Sequence, residues 1–141
     1  MKAFKHCRPL VLVDGTFLPG KYRGVLMIAV GVDPDNQLVP LAFALAKGEN
    51  DDIWCWFMKL MRQNVLRSSQ NICMISDQHH SLLIAMKEHV DGCPPLEHRW
   101  CMRHFATNIW RRQKKKEVVQ KLKSLCGCRT KEKFEETLVE L

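Results

Sequence analysis

Apolar residues in the first third of the chain fall into three short runs separated by turn signals. The first run, Leu10 to Phe17, reads Leu-Val-Leu-Val-Asp-Gly-Thr-Phe, and Val25 to Val32 and Leu38 to Ala46 follow it. Short runs rich in Val, Leu and Ile between Gly, Pro and Asx residues are typical of β-strands. Asp33 to Asn36 has Pro and Asx residues where a type I turn favours them. The pattern predicts an antiparallel meander of three strands.

The pattern then alternates between helical and extended segments. Asn50 and its acidic neighbours offer N-caps for a helix that ends near Leu66 and has a wide apolar face. Asn71 to Asp77 predicts a fourth strand, His79 to Val90 a second helix and Leu96 to Cys101 a short fifth strand. The rest of the chain is predicted to be helical and becomes increasingly basic.

The predicted element order is β-β-β-α-β-α-β-α-α, which indicates a mixed α/β fold. Three antiparallel strands followed by alternating helices and strands match the ribonuclease H-like sheet. We therefore predict a ribonuclease H-like mixed sheet, with the start of a helical insertion after it.

Composition narrows the class of protein. With 141 residues the chain is long enough for one domain with its own core, and its net charge of +7 favours phosphate-bearing partners. Seven cysteines without a repeated spacing or a secretory leader predict reduced thiols. The longest apolar run, Val25 to Val30, is far too short to span a bilayer. We expect an intracellular, soluble protein that works near nucleic acid.

Two predicted strands each run into a lone aspartate. Asp14 is followed by Gly15, which we interpret as a turn residue, so the first strand should be buried on both faces and place Asp14 at its carboxyl end. Asp77 ends the fourth strand in the same way. Each aspartate alone has a simpler explanation as a turn or helix cap. Two of them in this strand order favour a single acidic site for Mg²⁺, which prefers oxygen ligands.

The Asp14-Gly15-Thr16 segment also invites comparison with haloacid-dehalogenase phosphatases, whose first motif is Asp-x-Asp-Gly-Thr after an apolar strand. The position of their nucleophile is Leu12 in this chain. Leucine cannot form an aspartyl-phosphate, so this interpretation fails.

Cys101 and His104 are spaced by one helical turn, so both side chains could face one metal ion. His98, Cys126 and Cys128 could complete four ligands, although Cys-x-Cys is not a standard zinc spacing. A packed cysteine and a hydrogen-bonded histidine are favoured over a structural zinc site. We expect both residues at the start of a helix after the fifth strand, facing inward beside the sheet.

A run of cations is the third candidate site. Its functional interpretation is contact with a nucleic-acid backbone beside Trp110, and its structural interpretation is a solvated helix face. Neither is favoured by the pattern alone. The run comprises Arg111, Arg112, Lys114, Lys115 and Lys116.

Taken together, several of these segments resemble the Mutator-like element (MULE) transposase domain, in particular the MuDR-type transposases of plants. The block from Arg99 to Asn108, which contains the Cys-x-x-His pair, is the most specific part, and the resemblance covers nearly the whole chain. The other matching segments are Val13 to Phe17 (VDGTF), Gly20 to Gly24 (GKYRG) and Ile75 to Asp77 (ISD).

The resemblance implies a DDE transposase with a ribonuclease H-like core that uses two Mg²⁺ ions. Asp14 matches the first acidic residue of the triad and Asp77 the second. The family's third carboxylate, a glutamate, follows a helical insertion, and we expect the chain to stop inside that insertion. Residues 1–110 would then be a core that lacks its last part, and residues 111–141 the start of the insertion. The glutamates on the last predicted helix do not match the third motif: Glu132, Glu135, Glu136 and Glu140.

Two functions remain open. The chain is either a transposase core, which hydrolyses and transfers DNA phosphodiesters but is inactive by itself, or a domesticated, non-catalytic nucleic-acid-binding or transcription-regulatory protein. For both we expect a nuclear protein whose partner is DNA, namely transposon ends and target DNA for the transposase. We expect no membrane partner, and a homo-oligomer in the full-length protein.

Overall fold

The computed structural model describes residues 3–139, which form two compact units that meet in the sequence between Arg99 and Trp100. Glu140 and Leu141, at the end of the last predicted helix, lie outside the described residues. A short 3₁₀ turn, Ala3–His6, comes first. The strands are β1 Leu10–Leu18, β2 Gly24–Val32, β3 Leu38–Ala46, β4 Cys73–Ser76 and β5 Glu97–Trp100. The helices are α1 Asp51–Met61, α2 His80–Lys87, α3 Met102–Gln113, α4 Lys116–Cys126 and α5 Lys131–Val139.

The five strands form one mixed sheet in the order β3-β2-β1-β4-β5. The strands β1, β2 and β3 pair antiparallel, which confirms the predicted meander. The strands β1 and β4 pair in parallel, and the long connection containing α1 between the meander and β4 makes this pairing possible. The structure thus confirms a mixed α/β fold with a five-stranded sheet.

Buried and partly buried residues alternate along the strands, so one face of the sheet is more deeply buried than the other. Val11 and Val13 are almost fully buried, and they share one core with Trp54 of α1 and Leu82 of α2. The intervening residues, such as Leu12, are only partly buried. The predicted burial of β1 on both faces is therefore wrong, because within the first of the two units the helices α1 and α2 pack into the core of a single face.

The helix α1 begins where the sequence predicts, but its α-helical part ends before the predicted residue. Asn50 is its N-cap, and its side-chain oxygen accepts a hydrogen bond from the Ile53 amide at 2.9 Å. After Met61 the chain widens into a π-helical turn, Arg62–Leu66, that carries it to the predicted end. No helix within residues 3–139 is long and apolar enough to cross a membrane.

Arg62, in this π-helical turn, is a buried cation. Its side chain is 3% exposed, and its two terminal nitrogens donate to the carbonyls of Glu88 and Pro94, each at 2.8 Å. Glu88 follows the last turn of α2, where carbonyls lack helical partners and a cation is favourable. Arg62 therefore ties α1 to the end of α2 and to the segment that leads into β5.

We predict that Arg62→Met lowers the free energy of unfolding by about 2–4 kcal/mol, because it leaves two carbonyls without their donor. Urea unfolding followed by circular dichroism measures the change. Lys59→Met, at an exposed position of the preceding helix α1, should change it by less than about 0.5 kcal/mol. Equal stability of the two variants would show that Arg62 does not hold these segments together.

Candidate active site

Asp14 lies within its strand, whereas the sequence pattern predicted it at the strand end. The strand β1 continues to Leu18, and Asp14 pairs with Ile28 of β2. On the other side of β1, the hydrogen-bonded pairing with β4 stops at Leu12 and Ile75. Asp14 is exposed at this point. The end of the neighbouring strand, and not a turn at Gly15, therefore brings the carboxylate to the surface.

Asp77 follows β4 directly, so it lies at the carboxyl end of its strand. Continuing the register of Leu10 with Cys73 and Leu12 with Ile75 along both strands places Asp14 level with Asp77. Paired residues of parallel strands point to the same face of a sheet. The strands β1 and β4 are neighbours in the sheet, Asp14 alternates with the buried Val13 and so belongs to the face opposite the main core, and this register puts Asp77 beside it.

The loop after β4 holds the Asp77 carboxylate in a defined place. Its Oδ1 atom accepts a hydrogen bond from the backbone amide of His79 at 3.0 Å, an Asx-type turn at the start of α2. Asp14 Oδ1 accepts from the amide of Gly15 at 2.9 Å. Both carboxylates thus accept a hydrogen bond from a nearby backbone amide, which orients them.

Glu49 is a site residue that the sequence pattern did not single out. Its position indicates only an N-cap candidate of α1, but its side chain is 12% exposed and lies 3.8 Å from His79 (Oε2 to Nε2). A methyl group added to Gly15 would contact Glu49 Oε1 and lie 3.1 Å from Cζ2 of Trp54. A glycine inside a strand often marks such a close approach, and that signal was present in the sequence.

Ser76 and His98 form a polar contact inside the unit. Ser76 is 1% exposed, and its hydroxyl donates to the carbonyl of Asp77 at 2.9 Å. His98 Nε2 lies 3.0 Å from the same hydroxyl oxygen, so it acts as the donor there. Burial, followed by the charges of Arg99 and Lys87, lowers the pKa of His98. His98 is therefore favoured in its neutral form, bonded to Ser76.

Cys101 and His104 lie where β5 gives way to α3. Cys101 is the N-cap residue of that helix and His104 lies in its first turn; both side chains are partly buried. Within residues 3–139, no three His, Cys, Asp or Glu side chains are grouped so that they could hold a metal ion. The preference for a structural role over zinc, and the inward orientation beside the sheet, stay predictions.

The five cations of the basic run surround the connection from α3 to α4. All five are exposed, and Lys114 takes a left-handed conformation (φ 52°) that ends α3. We call this cluster the basic turn; it consists of Arg111, Arg112, Lys114, Lys115 and Lys116. Trp110 is 45% exposed immediately before it.

The sequence matches a known protein family. Residues 10–108 match the family described as MULE transposase domain, and this match includes both aspartates and the Cys-x-x-His pair. The chain therefore belongs to the MULE transposase domain family, and its function is transposase-related. No curated protein matches the chain at a significant level.

We predict that Gly15→Ala lowers the free energy of unfolding by about 1–3 kcal/mol, because the new methyl group overlaps Glu49 and crowds the buried ring of Trp54. Urea unfolding measures the loss. Gly48→Ala is the matched control, since a methyl group there meets nothing within 4 Å. A loss no larger than that of the control would mean that Glu49 does not occupy the space above Gly15.

Proposed function

We propose that the chain is the DDE-type core of a MuDR-like transposase and that Asp14 and Asp77 are its first two acidic residues. The observation that carries the proposal is the parallel pairing of β1 with β4, whose register brings the two aspartates level on one face. The family match spans both positions. The strand order β3-β2-β1-β4-β5 supports a ribonuclease H-like assignment of the sheet.

The donor set at this edge fits a hard divalent cation. Two carboxylates on one face offer the oxygen ligands that Mg²⁺ prefers, and the remaining positions would be open to water and phosphate oxygens. When bound, Mg²⁺ ions would activate the attacking oxygen and stabilise charge on the DNA phosphate. In this proposal Asp14 and Asp77 bind the cations, and the His79 amide orients Asp77.

The family's third carboxylate is not matched by the glutamates of α5, which include Glu132, Glu135 and Glu136. We propose that residues 1–110 are the core and that residues 111–141 begin a helical insertion. Strand transfer then requires a third carboxylate, and we assign that role to none of these glutamates. We also propose nuclear localisation, and homo-oligomers of the full-length protein.

A domesticated DNA-binding regulator is the second candidate function. The exposed basic turn favours it, because that surface would serve DNA binding without any chemistry at the aspartates. Cation binding at Asp14 and Asp77 separates the two functions, since a regulator does not need it.

We predict weak Mn²⁺ binding, on the order of millimolar, that depends on both aspartates because only two carboxylates hold the ion. Broadening of amide signals in NMR spectra should centre on residues 14 and 77. Asp14→Asn or Asp77→Asn should abolish it, whereas Asp91→Asn, at an exposed loop position, should leave it unchanged. Broadening that survives both site changes would refute the metal site.

We also predict that the basic turn binds duplex DNA by neutralising backbone phosphates. Changing all five of its cations to Gln should weaken binding and flatten the slope of log affinity against log salt, by roughly 0.9 for each phosphate that is no longer neutralised. Fluorescence anisotropy at several salt concentrations measures the slope.

The control for this experiment neutralises five exposed cations elsewhere, so that the change in net charge is the same. An unchanged slope in the basic-turn variant, or an equal change in the control, would show that the run is only a solvated surface. The control residues are Lys59, Lys87, Arg129, Lys131 and Lys133.

A further inference from the structure

We propose that Glu49 is a positioning residue of the acidic site, which sets the place of the Asp77 carboxylate through His79. The proposal rests on the proposed function, in which Asp14 and Asp77 bind a cation. Glu49 precedes α1 and comes from the β3–α1 connection, so it brings a third segment of the chain to this edge of the sheet.

The burial of Glu49 is the first observation. Its side chain is only 12% exposed, and removing a carboxylate from water is costly unless a partner compensates. Its polar neighbour is the imidazole of His79, at 3.8 Å from Oε2 to Nε2, which is longer than a hydrogen bond. The largely buried carboxylate of Glu49 therefore lies next to the imidazole of His79.

Glu49 also packs against β1. The space that a side chain at Gly15 would fill is occupied by Glu49 Oε1 and by the ring of Trp54, which is fully buried. The Glu49 carboxylate therefore lies against the core face of β1, at the residue that follows Asp14.

His79 transmits this placement to Asp77. Its imidazole lies next to Glu49, and its backbone amide donates to Asp77 Oδ1 at 3.0 Å. His79 is also the N-cap residue of α2, although its side chain makes no capping hydrogen bond. Holding the imidazole therefore also holds a backbone donor that orients the second carboxylate.

Two simpler roles for Glu49 explain less. A carboxylate near the start of α1 stabilises the helix dipole, but Asp51 and Asp52 already supply that charge from exposed positions. Direct ligation is not supported either, because no three acidic or histidine side chains in the described range 3–139 form a metal-holding group. Gly15 belongs to the core face of β1, so Glu49 lies behind the aspartates.

The test compares Glu49→Gln with Asp51→Asn, which removes the same charge from the same end of α1. Two quantities are measured on the full chain by NMR: the Mn²⁺ dissociation constant and the hydrogen-exchange rate of the His79 amide. We expect Glu49→Gln to weaken Mn²⁺ binding roughly tenfold, as for other residues that orient metal ligands, and to speed the exchange. Asp51→Asn should alter neither quantity by more than about twofold.

A double-mutant cycle gives a second readout. His79→Gln should reproduce the effect of Glu49→Gln on Mn²⁺ binding, and the double variant should be no weaker than either single one, because both act along one path. Additive effects, or Mn²⁺ binding and exchange unchanged in Glu49→Gln, would overturn the proposal. If the unmodified chain shows no Mn²⁺ binding that depends on Asp14 and Asp77, the proposed function fails, and the His79 exchange rate alone decides the role of Glu49.

Discussion

The strand β1 is bonded on both sides, and the core and the acidic edge both depend on these two ladders. Its antiparallel ladder with β2 runs from Val11 to Leu18, whereas its parallel ladder with β4 covers only Leu10 to Leu12. The shared part contains Val11, which is completely buried. Beyond it β1 has one bonded neighbour instead of two, and Asp14 emerges into solvent. A difference in strand length therefore converts a core strand into a site that presents a carboxylate.

A parallel pair requires a crossover, and the crossovers of this fold place charged side chains where they are costly to bury. Glu49 lies before α1 and Arg62 after it, and both are largely buried. Arg62 is compensated by the carbonyl of Glu88 at the end of α2 and by that of Pro94 before β5, while Glu49 lies beside His79. Such residues specify how helices and strands are connected, because each is stable only with its own partners in place.

Much of the fold could be predicted from hydrophobic periodicity. The bounds of β3 agree with the apolar run Leu38 to Ala46, and α3 begins at Met102 as expected. The predicted end of β1 is wrong, because a glycine after an aspartate has the same local pattern whether it turns the chain or makes room for another side chain. Here Gly15 makes room for Glu49.

The sequence by itself determined the element order, the two aspartates after apolar runs and the basic turn, since these follow from local patterning and residue chemistry. Tertiary structure alone decided that Asp14 is level with Asp77, because register depends on which strands become neighbours. It also decided that Glu49 belongs to this edge. Glu49 and Gly15 are far apart along the chain, and no local pattern encodes a contact that forms only when β1 and the start of α1 pack together.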